Sequence, residues 1–232
     1  MRFRSKRYKK DAEKQASKPL SVEDAIKVLK GFSKAKFDQS VDIVCWLGID
    51  PKQADQAVRG SIALPHGIGK SKKVIAFCAE GDVEACKKAG AIEAGGEELA
   101  ERITKGWMDF DVAVAHPAMM GKIAKLGRVL GPQGKMPSPK SGTVSQDIVT
   151  AVKEYSAGKV EFRNDAGGNV HAIVGKLSFG ESELKGNINA FIEHIRHVKP
   201  AAAKGHYVKR VCISGTMTPS VELQIAAAEE KA

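Results

Sequence analysis

The sequence predicts a two-domain α/β (α+β) protein. A discontinuous α+β terminal domain with a mixed or antiparallel sheet is interrupted by an inserted Rossmann-like domain with an open parallel sheet. Three observations carry this prediction. Residues 20–66 hold one helical pattern and two strand-like runs, too little to enclose a core alone. Residues 73–156 alternate short apolar runs with helical patterns, the rhythm of a parallel sheet covered by helices. After Gly158 the pattern returns to strands around one long amphipathic helix. Joining the two ends gives domain I, residues 19–66 with 159–232, preceded by a basic arm at 1–18. Domain II is then 67–158. The two crossings carry Gly67, Gly69 and Gly158, and glycine at both ends of an insertion predicts a hinge.

Taken in order, residues 1–18 lack apolar periodicity and read as a mobile arm. Ser21 caps a helix whose first turn holds Glu23 and Asp24, favourable to the helix dipole, with Val22, Ala25, Ile26 and Leu29 on its buried face. Strands follow at 40–47 and 57–64, parted by the turn at Asp50-Pro51. In the middle, strands at 73–79, 91–94 and 111–115 alternate with helices at 82–89, 97–105, 117–127 and 145–156, and Pro117 suits a first helical turn. Runs at 160–164 and 170–177 read as a hairpin closed by Asp165-Ala166-Gly167-Gly168-Asn169. The final helix carries Leu184, Ile188, Phe191, Ile192, Ile195 and Val198 on one face, and strands at 207–214 and 221–225 complete the chain.

Charge narrows the function. The chain of 232 residues carries a net +10. Residues 1–18 alone hold eight Lys/Arg against two acids. No acid lies between Asp111 and Asp147, or between Glu193 and Glu222. Cationic blocks without interleaved carboxylates sustain the positive potential that a phosphate backbone selects. No apolar run approaches the ~20 residues that span a bilayer, and the charged N-terminus is no secretory signal, so a soluble, cytoplasmic protein with no membrane partner is expected. The cysteines (Cys45, Cys78, Cys86, Cys212) form no CxxC pair. Cys45 and Cys212 read as small core hydrophobes in strands, and neither a metal nor a cofactor is expected.

The most enzyme-like string, Gly67-Ile68-Gly69-Lys70-Ser71, lacks glycine at Leu64 and is followed by a strand-like run. Without a helix N-terminus no set of free N–H groups converges on a phosphate. It reads as a linker. His194 and His197 stand three apart on a helix and read as a solvated basic helix end rather than a metal site. With no nucleophile elbow or composed triad, catalysis is not expected.

Three strings fit RNA. Lys30 to Phe37 interleaves lysines with aromatics; Phe32 falls on the buried side of its helix, while Phe37 is either a stacking surface or a core ring. Gly127 to Thr143 has four glycines, three prolines and the unbalanced cations Arg128, Lys135 and Lys140, giving either a phosphate-facing or a structural loop. Ser214 to Pro219 breaks two strands just after Lys209 and Arg210, either as small residues that let an RNA backbone approach or as a turn with a packed methionine.

The strings FDQSVDIVCWLGIDPKQADQAVRGSIALPHGIGK, GWMDFDVAVAHPAMMGKIAKLGRVLGPQGKMPSPKSGT, FRNDAGGNVHAIVGKLSF and TMTPS resemble the bacterial-type ribosomal protein L-one family, in unbroken order from about residue 20 to 225. The resemblance implies a split terminal domain with an inserted one. It also implies binding of large-subunit ribosomal RNA at the mobile stalk beside the exit site, help in releasing deacylated tRNA, and repression of its own messenger RNA. Off the ribosome such a protein is expected to be monomeric. Carried over residue by residue, the RNA surface comprises Lys36, Phe37 and Ser40, then Asp165, Gly168, Asn169 and His171, then Thr216, Met217 and Thr218. Two positions depart from the family pattern. Thr218 stands where glycine is usual, which predicts strain if that position needs φ > 0. Ala166 stands where lysine is frequent, which removes one phosphate contact.

Overall fold

The computed structural model describes residues 4–15 and 18–224. In chain order the strands are β1 (Ser40–Leu47), β2 (Arg59–Ile62), β3 (Val74–Phe77), β4 (Glu93–Gly95), β5 (Val112–Ala115), β6 (Val160–Arg163), β7 (Asn169–Lys176), β8 (Val208–Gly215) and β9 (Ser220–Leu223). The helices are α1 (Lys6–Glu13), α2 (Val22–Lys30), α3 (Val83–Lys88), α4 (Glu97–Thr104), α5 (Met120–Ile123), α6 (Gly127–Leu130), α7 (Ile148–Ser156) and α8 (Glu181–His197). The described chain divides into two compact units, one ending at Gly69 and resuming at Phe162, the other Lys70–Glu161.

In the first unit an antiparallel sheet runs β7-β1-β8-β9. β1 alternates strictly, burying Val41, Ile43, Cys45 and Leu47. Helices α2 and α8 cover that side with Ala25, Ile26 and Leu29, and with Leu184, Ile188, Phe191 and Ile195. Each Ile, Leu or Phe among these stabilises the unit by about 2 kcal/mol on leaving water. Ser21 caps α2 as its sequence predicts, its hydroxyl accepting from Asp24 N–H at 3.2 Å. Phe32 is buried with the core.

A buried polar residue of α8 ties the end of the first segment into this core. Asn187, fully buried, accepts from the His66 N–H at 3.1 Å and donates to the carbonyls of Gly67 at 2.9 Å and Val174 at 2.8 Å. Gly69 (φ 73°) follows under the Phe179 ring, where a Cβ would stand 2.8 Å from a ring carbon. Gly67 and Gly69 are thus held within this unit. Gly158 (φ 104°) ends α7, its N–H bonded to the Tyr155 carbonyl, as left-handed glycines do at helix C-termini.

In the second unit a three-stranded parallel sheet runs β4-β3-β5, with helices on both faces, as an open α/β sheet requires. Alternate residues of β3 and β5 divide between two cores. Val74, Ala76, Val112 and Val114 pack with α3 and α7, and Ile75, Phe77, Ala113 and Ala115 pack with α4, Ile123, Leu126 and Leu130.

Four expectations need correction. The helix expected over 117–127 is a chain of short turns, 3₁₀ at Pro117–Met119, α5, 3₁₀ at Ala124–Leu126, then α6. The glycines in α5 and α6 weaken an α-helix, and a three-residue period brings Ile123 and Leu126 onto the same core. The stretch after Gly127, expected to be irregular, therefore begins as helix, and it is bound into the unit at Ser138, Ser141 and Thr143. The expected hairpin is a tight turn between strands that part. β6 pairs with β2, β7 with β1, and one bridge, Asn164 to Val170, joins them. Asn164 commits β6 to β2, exchanging bonds of 2.9 and 3.0 Å with Val58, and Phe162 packs over Gly60, where a Cβ would meet the ring at 2.9 Å. Finally, the arm expected to be mobile contains α1, docked on the first unit; residues 1–3, 16 and 17 of that arm, and Ile225 of the last predicted strand, lie outside the described residues.

Asn187→Ala leaves one N–H and two carbonyls of the core without partners and should cost the first unit about 2–4 kcal/mol. Urea unfolding in a Trp107→Phe background, with Trp46 reporting on that unit, should show a lower midpoint with unchanged slope.

Candidate nucleic-acid interface

Strand register sets the face opposite α2 and α8. Residues directly opposite in antiparallel strands share a face, so β1 aligns three rows there. Asp42 lies between Ile173 and Ser214, Val44 between His171 and Cys212, and Trp46 between Asn169 and Arg210. β9 adds Ser220 beside Ser214 and Glu222 beside Cys212. Large apolar side chains stay in water here, Trp46 at 45% exposure and Ile173 at 40%. From Ser40 to Trp46 the face spans about 20 Å along β1, six steps at ~3.4 Å each.

The residues expected to contact RNA gather at its two ends. At one end, Ser40 opposes Lys176, whose ammonium donates to the Ser40 hydroxyl at 2.8 Å. The Thr216 hydroxyl accepts from the Ser40 N–H at 3.1 Å, and Met217 N–H donates to Gln39 Oε1 at 2.9 Å, leaving the Met217 side chain 51% exposed. The open alternative at Phe37 resolves to the surface: its ring is 51% exposed beside the exposed Lys36. Phe37 borders a cleft of about 370 Å³ with Phe32, Lys34, Gln39, Leu177 and Thr218.

At the other end, Gly168 (φ 77°) gives its carbonyl to the Leu47 N–H and packs so closely that a Cβ would stand 3.3 Å from the Leu47 oxygen. Asp165 accepts from the backbone N–H of Asn169 at 2.7 Å and of Gly167 at 2.8 Å, and from the Asn169 amide. These bonds, led by the Asn169 N–H, hold its carboxyl down at about 2, with His171 adding a smaller pull from 3.5 Å. Lys209 lies over the Trp46 ring at 4.9 Å, and Arg210 is ion-paired to Glu222. Asp42, half-buried between these ends, is pushed above the usual carboxylate range by desolvation, against the pull of His171 and Lys176.

Several expected contact residues are thereby occupied by the fold. The Thr218 hydroxyl is buried and accepts from Gly215 N–H at 2.8 Å. No non-glycine residue among those described has positive φ, so the strain considered for Thr218 is absent. Lys135 donates to the carbonyls of Met108 and Phe110 and sits over the Phe110 ring, a cation holding its own loop, whereas Arg128 and Lys140 are exposed. Cys45 is core, but Cys212 faces outward, because its register partner is Val44. His194 packs edge-on against Phe162 at 5.6 Å, and burial lowers its pKa, so it is less solvated than its basic neighbourhood implied. Lys176, Trp46, Asp42 and Ile173 belong to the face without having been singled out from sequence; strict alternation in β1 was the signal that could have found them.

Among the described residues no group of three or more His, Cys, Asp or Glu is placed to hold a metal, and no helix is long and apolar enough to cross a membrane. Fold and face together define a two-unit α/β protein whose split unit presents an uncovered sheet rimmed by cations and exposed rings. The chain belongs to the Ribosomal protein L1p/L10e family, whose model matches residues 29–219. It is 53% identical over 220 residues to the large ribosomal subunit protein uL1 of Rhodopirellula baltica, covering 95% of this chain and 98% of that one. It is 48% identical to the protein of the same name from Nocardioides sp. (95% and 92% covered), and 45% identical to that from Thermobifida fusca (99% and 98%). Membership of this family makes it a ribosomal protein and not an enzyme.

Because the Asp165 carboxyl is held well below its usual value, the turn keeps its full stability above about pH 4 and loses it as the pH falls through about 2. A carbon-detected NMR titration should place the Asp165 midpoint near 2, and Asp165→Ala should speed hydrogen exchange at the Gly167 and Asn169 amides.

Proposed function

We propose that this protein is a structural constituent of the large ribosomal subunit and binds the large-subunit ribosomal RNA at its mobile stalk through the outer face of the β7-β1-β8-β9 sheet. One observation carries the reading: segments 36–40, 165–171 and 209–218, far apart in sequence, come together at the two ends of one open face. Lys36, Lys176, Lys209 and Arg210 supply cations for phosphates, Phe37, Met217 and Trp46 supply surfaces for bases, and Asn169, His171 and Ser214 supply donors and acceptors for base edges or 2′-hydroxyls. Gly168, Thr216 and Thr218 hold these groups in place from behind.

The same face serves the protein's own messenger RNA when that RNA folds like the stalk. One surface holds one RNA at a time, so repression of translation follows once ribosomal RNA is saturated. Arg128 and Lys140, exposed on the second unit, are the groups we assign to exit-site tRNA during release of the deacylated molecule. With Gly67 and Gly69 held in the first unit and Gly158 capping α7, we place the pivots of the expected hinge just beyond them, at Lys70 and at Lys159, which precedes the paired strand β6. The cytoplasmic, monomeric state off the ribosome belongs to the same reading.

A transcribed stalk-fragment RNA, a scrambled RNA and the equivalent DNA, titrated across a salt series, test it. Stalk binding should persist at high salt while both controls fall away, and Phe37→Ala and His171→Ala should each weaken it about ten-fold, the range of one stacking or edge contact. Equal, steeply salt-dependent binding to all three would show that charge alone is at work.

A further inference from the structure

Helix α1 should not exist on its own. It has eight residues, below the length at which isolated helices persist in water. Its first turn has no acid, so Lys6 and Arg7 face the positive end of the helix dipole. Lys6, Lys10 and Lys14 repeat at four-residue spacing, a like-charge stripe in which each pair opposes the helix by about 0.2–0.5 kcal/mol. All three are exposed.

What orders the helix is its attachment. Ser5 caps it, accepting from the Tyr8 N–H at 3.2 Å. Asp11 is fully buried, and its Oδ1 accepts from both the N–H (3.0 Å) and the hydroxyl (2.7 Å) of Ser33, just past α2. Gln15 donates to the Ser220 carbonyl at 2.6 Å, at the start of β9. The helix is thereby fixed at the β9 edge of the open sheet face. Between them lies a polar groove of about 380 Å³, lined by Ala12, Gln15, Lys18, Arg210, Ser220 and Glu222.

We propose that α1, latched by Asp11, is a preformed extension of the RNA surface: an RNA strand leaving the sheet face beside Arg210 enters the groove and crosses α1, so that its phosphate backbone reaches the Lys6–Lys10–Lys14 stripe on the side of the helix turned away from the groove-lining Ala12. The inference rests on the RNA reading above and adds to it a positioning residue and a boundary. An attachment that holds like charges in a row raises their energy until a polyanion lies along them, and a phosphate backbone is the anion with repeating charge. Glu222 does not close the groove to anions, since Arg210 already pairs with it and Lys18 remains.

The test uses the full chain and four variants, with stalk-fragment RNA binding measured across a salt series and hydrogen exchange read at amides 8–13. Asp11→Ala should abolish exchange protection there, weaken RNA binding about ten-fold at 0.1 M salt, and flatten the salt dependence. Asp11→Asn, which retains an oxygen for both Ser33 donors, should behave as the parent. The triple variant Lys6→Ala, Lys10→Ala, Lys14→Ala should keep the protection yet lose about two units of salt slope, ~0.7 per phosphate contact. His171→Ala should weaken stalk binding while keeping the parent's salt slope. If Asp11→Ala or the triple variant binds with the parent's affinity and slope while His171→Ala is impaired, α1 is no part of the RNA surface. If His171→Ala also binds as the parent does, the sheet-face reading itself falls.

Discussion

The pairing of β1 with β7 on one side and β8 on the other is the constraint on which the rest of the first unit depends. β1 comes from the first quarter of the chain and both partners from the last third, so the entire second unit must be looped out before a single ladder bond forms. The entropic penalty of such closure grows slowly with loop length, and it is met by the apolar face that β1 buries under α2 and α8. Side chains alternate with a period of two, so a one-residue slip would carry Trp46 and Asp42 into the core and Ile43 and Cys45 into water. The same register therefore fixes the core and aligns the three outward rows in which the proposed RNA contacts stand.

The turns at the two ends of that face are held by polar groups that are already engaged. Asp165 accepts the N–H groups of its own turn, Thr216 ties the far turn to Ser40, Thr218 closes that turn from within, and Gly168 lies against the end of β1. None of these groups has to be reorganised to meet a ligand, and side chains fixed before binding lose less entropy on binding. The groups left in water are of another kind: the Phe37 and Trp46 rings, the Met217 thioether, and the ammonium groups of Lys36 and Lys209. Division of labour between supporting and contacting residues explains why a string can be diagnostic of the family while only some of its members face outward.

The N-terminal helix shows the same economy at smaller scale. A single buried carboxylate, Asp11, ties a cationic segment with no apolar periodicity into an ordered element, because Ser33 presents two donors to it just past α2. The residues just after it, at Leu20, then run beside β9, with bonds from Leu20 N–H to the Glu222 carbonyl and from Gln224 N–H to the Leu20 carbonyl. The sheet edge is thereby covered on the side where it would otherwise offer free pairing groups.

Much of this was legible in the sequence. Period-two alternation at 40–47, period-3.6 apolar spacing at 184–198, the Ser21 cap and the alternating rhythm of 73–156 are local properties that backbone geometry imposes on any chain, and they fixed the elements and the fold class. The long strings that resemble the family pointed to the segments that gather at the two ends of the sheet face, where RNA contact is proposed. What remained for tertiary structure concerned pairs distant in sequence. Whether β6 joins β7 or β2, whether Cys212 faces in or out, whether Lys135 meets solvent or the carbonyls of Met108 and Phe110, and whether Asp11 finds Ser33 are all decided by contacts between distant segments. A side chain's spacing states which neighbours it has along its own element; only the closed core states which strangers are brought within 3 Å of it.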